Sequence, residues 1–112
     1  MRKQFEPWQV WWVDFNPVRG REQAKERPAV IVSSAYHLRL LRGDLITVLP
    51  LTTVERNWPF RIQIRTPRKP SWVITEQIRT VSGLRVRGDE PLYTLSLSEI
   101  AAVQAMRNQM IV

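Results

Sequence analysis

Apolar positions along this chain recur mainly at two-residue spacing, in short runs cut off by proline, glycine or charge, the pattern of strands joined by tight turns. The first run, Trp8 to Phe15, is rich in Trp and Val and closes at Asn16-Pro17, so it predicts a strand with Trp11, Val13 and Phe15 on one face. After a charged loop, Pro28 to Val32 is apolar without interruption and reads as a strand buried on both faces. Ser33-Ser34 can cap a short helical turn from Ala35 to Leu41, ended by Arg42-Gly43-Asp44. Leu45 to Leu49 predicts a third strand stopped by Pro50, and Leu51-Thr52-Thr53 begins a polar loop, which puts both threonines at a strand's end. Phe60 to Arg65 alternates strictly and predicts a strand whose wet face carries Arg61, Gln63 and Arg65. Past the rigid basic loop Pro67-Arg68-Lys69-Pro70, Trp72 to Thr75 re-enters the sheet, and Glu76 to Thr80 continues along or beside it. Ser82-Gly83 breaks that run, Arg85 to Pro91 forms a charged turn, and Leu92 to Leu95 is a last short strand.

The period changes at Ser96. Ser96-Leu97-Ser98-Glu99 matches a capping box, in which the serine hydroxyl and the glutamate carboxylate each satisfy a backbone N–H of the first turn. Leu97, Ile100, Val103, Met106 and Met110 then recur at helical spacing, a stripe that predicts a helix sealing one side of the sheet. With no repeats and no low-complexity tract, five or six short strands and one C-terminal helix predict a mainly β, strongly curved small barrel, a single domain over residues 1–112.

Charge adds a partner to this picture. Lys and Arg number 17 against 10 Asp and Glu, and most of the 17 are Arg, whose planar fork binds phosphate at two points at once. A polyanionic partner and a basic surface kept for solubility both fit that excess. The absence of cysteine excludes a disulfide framework, a thiolate nucleophile and a sulfur-ligated zinc site, and is compatible with a reducing, cytoplasmic compartment. The Trp8 to Phe15 run is interrupted by Gln9 and Asp14 and is too short for a signal or a membrane span, so no membrane role is expected.

Candidate chemistry narrows further. RNA is cleaved without metal when one group takes a proton from the ribose 2′-OH, another supplies one to the leaving oxygen, and cations stabilise the phosphorane between them. A histidine pair is unavailable, since His37 is the only histidine and lies in the predicted helical turn. Asp14, Asp44, Glu55, Glu76 and Asp89 are scattered without a ligand motif, so neither a metal nor any other cofactor is expected. Arginine acting on phosphate beside a hydroxyl remains, and Arg27 with Thr52 fits it: Pro28 restricts Arg27 to extended backbone and fixes where its guanidinium emerges. The bland reading of the same pair is that Arg27 pairs with Glu22 or Glu26 and Thr52 caps its loop.

The blocks G-R-E-Q-A-K-E-R-P-A-V-I-V-S, L-P-L-T-T, W-P-F, T-E-Q-I-R-T and the L-S-x-x-E-I helix start follow one another along nearly the whole chain. In this order and spacing they resemble the MazF/PemK family of toxin endoribonucleases of type II toxin-antitoxin systems. The resemblance implies an SH3-like barrel of the MazF/CcdB type, a homodimer, and metal-independent, sequence-specific cleavage of single-stranded RNA to 2′,3′-cyclic phosphate and 5′-OH ends. It also implies an acidic antitoxin partner whose tail competes with RNA for the basic surface. By position, Arg27 and Thr52 match the family's catalytic arginine and threonine, Glu22 matches a residue implicated in activity, and Glu76 falls where members carry Asp or Glu. Arg19, Arg21, Gln23, Thr53, Trp58, Gln77 and Arg79 are the accompanying candidates for RNA contact. Arginine's high pKa makes it a poor proton acceptor, so Arg27 is expected to stabilise phosphate, with water, Glu22 or Glu76 taking the proton.

The chain departs from relatives at Arg21, which stands where they have Ser or His before the Glu-Gln pair, at Trp58, and at Glu76, which is longer than the Asp of many members. Trp58 either stacks on a base or anchors its loop to the barrel. The other functional class compatible with the barrel is a non-catalytic binding protein, a CcdB-like topoisomerase poison or an RNA-binding module.

Overall fold

Alternation in the three longest strands sends successive side chains into two separate cores, and that division organises the molecule. The computed structural model describes residues 3–15 and 26–111. Along the chain these form β1 (Gln9–Asp14), β2 (Glu26–Ile31), α1 (Ala35–Leu41), β3 (Leu45–Thr52), β4 (Arg61–Ile64), β5 (Ser71–Ile74) and β6 (Arg79–Ser82). A 3-10 turn at Gly83–Arg85 leads into β7 (Val86–Arg87), β8 (Tyr93–Thr94) and α2 (Leu97–Met110).

The sheet runs β4-β5-β3-β2-β1-β7, with β6 also beside β3 and β8 also beside β1. Strand β3 pairs along one edge with β2, from Ala29↔Pro50 to Ile31↔Val48. Its other edge is shared: Leu45 to Val48 pair with β6, and Leu51 and Thr52 pair with β5. Strand β1 repeats the device, holding β2 on one edge and β7 and β8 on the other. Dividing one edge between two strands bends the sheet until both its faces are covered, the mainly β, SH3-like barrel with one C-terminal helix that the patterning predicts.

One face holds Val10, Val30, Leu49, Leu51, Ile64, Val73, Leu95 and Val103, with Ile100 of α2 packed against it. The opposite face holds Trp11, Val13, Ala29, Ile31, Leu38, Ile46, Val48 and Val86, with Phe5 and Phe15 at its margin. The aromatic face of β1 is therefore core, as its composition suggests. At about 1.5–3 kcal/mol for each large side chain fully buried, these two clusters carry the fold.

Local signals explain the ends. Ser34 caps α1 by accepting from His37 N at 3.0 Å, and Ser33 Oγ lies 2.7 Å from His37 Nδ1 while accepting from Thr47 N at 2.8 Å. The lone histidine thus ties α1 to β3. The capping box at Ser96 and Glu99 is formed in full.

Three expectations change. Strand β3 passes through Pro50 instead of stopping there; the missing N–H is tolerated because it falls on the edge where β3 exchanges β6 for β5, between Val48 and Leu51. Arg61 is not on a wet face, for its side chain is only 10 % exposed and lies under the Trp58 loop. Leu97, at the first turn of α2, is 86 % exposed and takes no part in the apolar stripe, which narrows to Ile100, Val103 and Met106.

Candidate active site

The β2–β3 register determines where the proposed chemistry converges. Ala29 lies opposite Pro50, and two further residues along each strand come Arg27 on β2 and Thr52 on β3. The hydrogen-bonded ladder ends at Ala29↔Pro50, since Pro28 has no N–H to carry it on. Beyond that point Thr52 pairs with Trp72 of β5, whereas Arg27 stays paired with Val13 of β1. The two strands diverge and leave a groove of about 650 Å³ between them.

Arg27, Thr52 and Thr53 line this groove. Val10, Pro28, Leu51 and Leu92 give it an apolar floor, and Arg68 and Lys69 of the β4–β5 turn supply a cationic wall. Arg27 forms no ion pair among the described residues; the carboxylate beside it, Glu26, faces Arg87 at 3.6 Å instead. Thr52 Oγ1 accepts from Val54 N at 3.1 Å, which fixes the hydroxyl oxygen and leaves its proton free to donate into the groove. The bland reading of Thr52 as a loop cap therefore holds, and the cap leaves the hydroxyl proton uncommitted.

Glu76 does not join them. Its Oε2 accepts from Arg61 NH2 at 3.1 Å, and Glu76 lies in the turn that follows β5, outside the lining of the groove. Gln77 and Arg79 follow it away from the groove: Arg79 pairs with Val48, four residues up β3 from Thr52, and its guanidinium covers the Phe15 ring at 5.0 Å. The convergence of Arg27, Thr52 and Glu76 expected from the motifs is reduced within one chain to Arg27 and Thr52. Sequence spacing cannot show this, because the β5–β6 turn moves the T-E-Q-I-R-T block to the other half of β3.

Trp58 is 43 % exposed and stacks on Phe60 with ring centroids 5.4 Å apart, with Arg61 at 4.8 Å and Arg56 at 5.6 Å from its ring. It covers the Arg61–Glu76 pair, so its loop is anchored to the barrel while one ring face stays in reach of solvent. Arg61 Nε and Glu76 Oε1 are buried there with no hydrogen-bond partner among the described residues. Arg19, Arg21, Glu22 and Gln23 lie outside the described residues.

The groove also contains Trp12 and Glu26, which motif reasoning overlooks. Trp12 Nε1 donates to Glu26 Oε1 at 2.6 Å, and Arg87 donates to Asp14 Oδ2 at 2.8 Å while facing Glu26. The signal for them is register: in an antiparallel β1–β2 pair, Trp12 lies opposite Pro28 and Asp14 opposite Glu26, so all share a face. Outside the groove, at the start of α2, Glu99 Oε1 accepts from Tyr93 OH at 2.6 Å and Ser96 N at 2.8 Å, and Oε2 accepts from Arg65 N at 2.8 Å. Burial pulls the Glu99 carboxyl upward, but these bonds outweigh it and hold the group below the ordinary glutamate value. The same hydrogen bond, with burial, pushes the Tyr93 phenol up to about 12. Among the described residues no three His, Asp or Glu side chains are grouped to share a metal ion, and no helix is long and apolar enough to cross a membrane.

The fold and groove together define a class: a small antiparallel barrel with an arginine, two threonines and a cationic wall lining one groove, a lining suited to phosphate. Comparison with known proteins gives its family. Residues 6–111 match the family described as PemK-like, MazF-like toxin of type II toxin-antitoxin system, and the chain belongs to it. Endoribonuclease MazF9 of Mycobacterium tuberculosis is 34% identical over 102 residues, covering 83% of this chain and 84% of its own. Endoribonuclease toxin MazF of Escherichia coli is 28% identical over 100 residues, covering 89% and 87%. A crystal structure of MazE-MazF from Deinococcus radiodurans superposes with a TM-score of 0.77 over 96% of this chain and 95% of that one at 21% identity, which supports the fold.

Proposed function

We propose that this toxin is an endoribonuclease that cuts single-stranded RNA by attack of a ribose 2′-OH on the adjacent phosphate, without a metal ion. The observation that supports the reading is that Arg27 and Thr52 line one groove where the β2–β3 ladder ends. Arg27 donates to the non-bridging phosphate oxygens as negative charge builds on the phosphorane, and the Thr52 hydroxyl adds a second donor. The 2′ oxygen forms its bond to phosphorus as the bond to the 5′ oxygen breaks, and the leaving 5′ oxygen takes a proton from solvent water, giving a 2′,3′-cyclic phosphate and a 5′-OH. The 2′-OH proton goes to Glu22 or to a water. Arg19, Arg21, Gln23, Thr53 and Trp58 are assigned to the flanking nucleotides, while Glu76, Gln77 and Arg79 reach RNA only from a second copy of the chain, which makes a homodimer part of the proposal.

An acidic antitoxin segment is the inhibitor this basic groove suits, and a cytoplasmic location follows from the RNA substrate. The binding-only alternative is disfavoured because the matched relatives are named endoribonucleases. The test is incubation of mixed-sequence single-stranded RNA with the protein in EDTA, followed by end mapping. Cleavage with cyclic-phosphate ends that is lost in Arg27→Ala is expected; loss of cleavage with chelator, or full activity in Arg27→Ala, overturns the mechanism. Glu22→Gln decides between the two proton acceptors.

A further inference from the structure

Trp12 is a half-buried indole on the floor of the groove that holds Arg27 and Thr52, surrounded there by Pro28, Leu51 and Leu92. Its orientation is fixed at its one polar atom. Nε1–H donates to Glu26 Oε1 at 2.6 Å, and Glu26 is itself held by Arg87, whose Nε lies 3.6 Å from Oε2 and whose NH2 donates to Asp14 at 2.8 Å. Both oxygens of Glu26 are thus committed to a clamp in the residue next to Arg27. Resting on the endoribonuclease reading above, we propose that Trp12 is the stacking floor for the nucleobase beside the scissile phosphate and that Glu26 is its positioning residue.

The surroundings fit that occupant. A base needs a flat apolar face with cations within reach of its phosphates, and this groove offers an indole with Arg27, Arg68 and Lys69 around it. Glu26 is the only acidic residue among the described residues lining the groove; it shares Arg87 with Asp14, and Arg27, Arg68 and Lys69 keep the described lining net positive toward phosphate. An unanchored indole would have to lose rotamer freedom on meeting a base; the Glu26 bond removes that freedom beforehand.

The experiment uses the full chain, an RNA oligonucleotide with one mapped cleavage site, and the same oligonucleotide carrying 2′-deoxyribose at that site as a binding probe. Trp12→Leu is expected to weaken probe binding about tenfold or more, with the larger part of the cleavage loss in KM. Trp12→Phe retains a ring and is expected to recover most of that binding. Glu26→Ala should weaken binding several-fold in the Trp12 protein and much less in the Trp12→Phe background, which has no N–H to hold; Glu26→Gln keeps the acceptor oxygen and should bind near the parent level. Thermal melts show whether each variant is folded. Unchanged probe binding in Trp12→Leu, or equal effects of Glu26→Ala in both backgrounds, overturns the inference. So does a loss in Glu26→Gln confined to kcat with disappearance of the acid limb of the pH profile, since that is the signature of a general base. If the parent protein binds the probe but cuts no RNA, the endoribonuclease reading fails while the stacking result is still read from binding.

Discussion

Replacing Glu99 by Ala removes a carboxylate that ties three parts of the molecule together: the phenol of Tyr93 before α2, the first turn of α2 through Ser96 N, and the end of β4 through Arg65 N. Hydrogen bonds to a charged group are worth about 1.5–3 kcal/mol each when buried, but this site is partly open, so water re-satisfies the released donors and the bonds from Tyr93 and Arg65 are worth about 1 kcal/mol each. Loss of one half of a capping box costs about 0.5–1 kcal/mol, while the reciprocal bond from Glu99 N to Ser96 Oγ at 3.2 Å survives the substitution. The expected total is about 2–3 kcal/mol, a fall of about 10 °C in Tm for a domain of this size. Glu99→Gln keeps an acceptor oxygen but not the charge and should lose about half as much. The Glu99 pKa is lowered in the folded state, so its contribution is present above the unfolded glutamate value and disappears as pH falls through the folded one. Melts of the parent and Glu99→Gln should accordingly differ at neutral pH and converge as the pH falls below the ordinary glutamate range. Tyr93 acts in the opposite direction: raised to about 12, it contributes below the unfolded tyrosine value of about 10 and loses that contribution as pH rises toward 12, a limb absent from Tyr93→Phe. A Tm change under about 3 °C in Glu99→Ala, or a difference from Glu99→Gln that persists in acid, refutes the account of this network.

Other substitutions test the parts that set the groove. A Cβ at Gly83 would lie 2.0 Å from the Gly43 carbonyl oxygen, so Gly83→Ala must push two backbones apart and should destabilise by about 3 kcal/mol, read by urea titration. Glu76→Gln leaves Arg61 without its charge partner under Trp58; it should lower stability by about 1–2 kcal/mol, less than for a fully buried pair because Glu76 is 28% exposed. Thr52→Val should lower kcat about 10²-fold, the cost of one transition-state donor, whereas Thr52→Ser should stay within about fivefold, as single-turnover cleavage would show.

Much of this fold follows from alternation alone. The split of β1, β2 and β3 between two cores, the core role of Trp11 and Val13, the capped α1 and the capping box of α2 are all local consequences of side-chain period and hydroxyl placement. The groove was half legible: the motifs put Arg27 and Thr52 at strand ends that meet in it, but they do not show that Glu76 lies outside it. Its removal depends on β3 dividing one edge between β5 and β6, a tertiary fact with no local signal. Arg61 misleads for a similar reason, since alternation reports which face a side chain leaves by and not whether a loop folds over it.

The prolines carry the deepest part of the discrepancy. Pro28 and Pro50 read as strand boundaries, yet each sits inside a strand with a partner on at least one side. A proline removes a single donor, and that donor points to one edge only. At Pro28 the ladder toward β3 ends while the register with β1 continues through Arg27 and Glu26. The strand is therefore not broken but opened along one side, and what opens is the groove. This places Arg27 on backbone still held by β1, with its free edge toward the substrate, and it places Glu26 where β1 delivers Trp12 and Asp14 to meet it. A stop signal in the sequence thus becomes, in the barrel, the feature that makes a site rigid on one flank and accessible on the other.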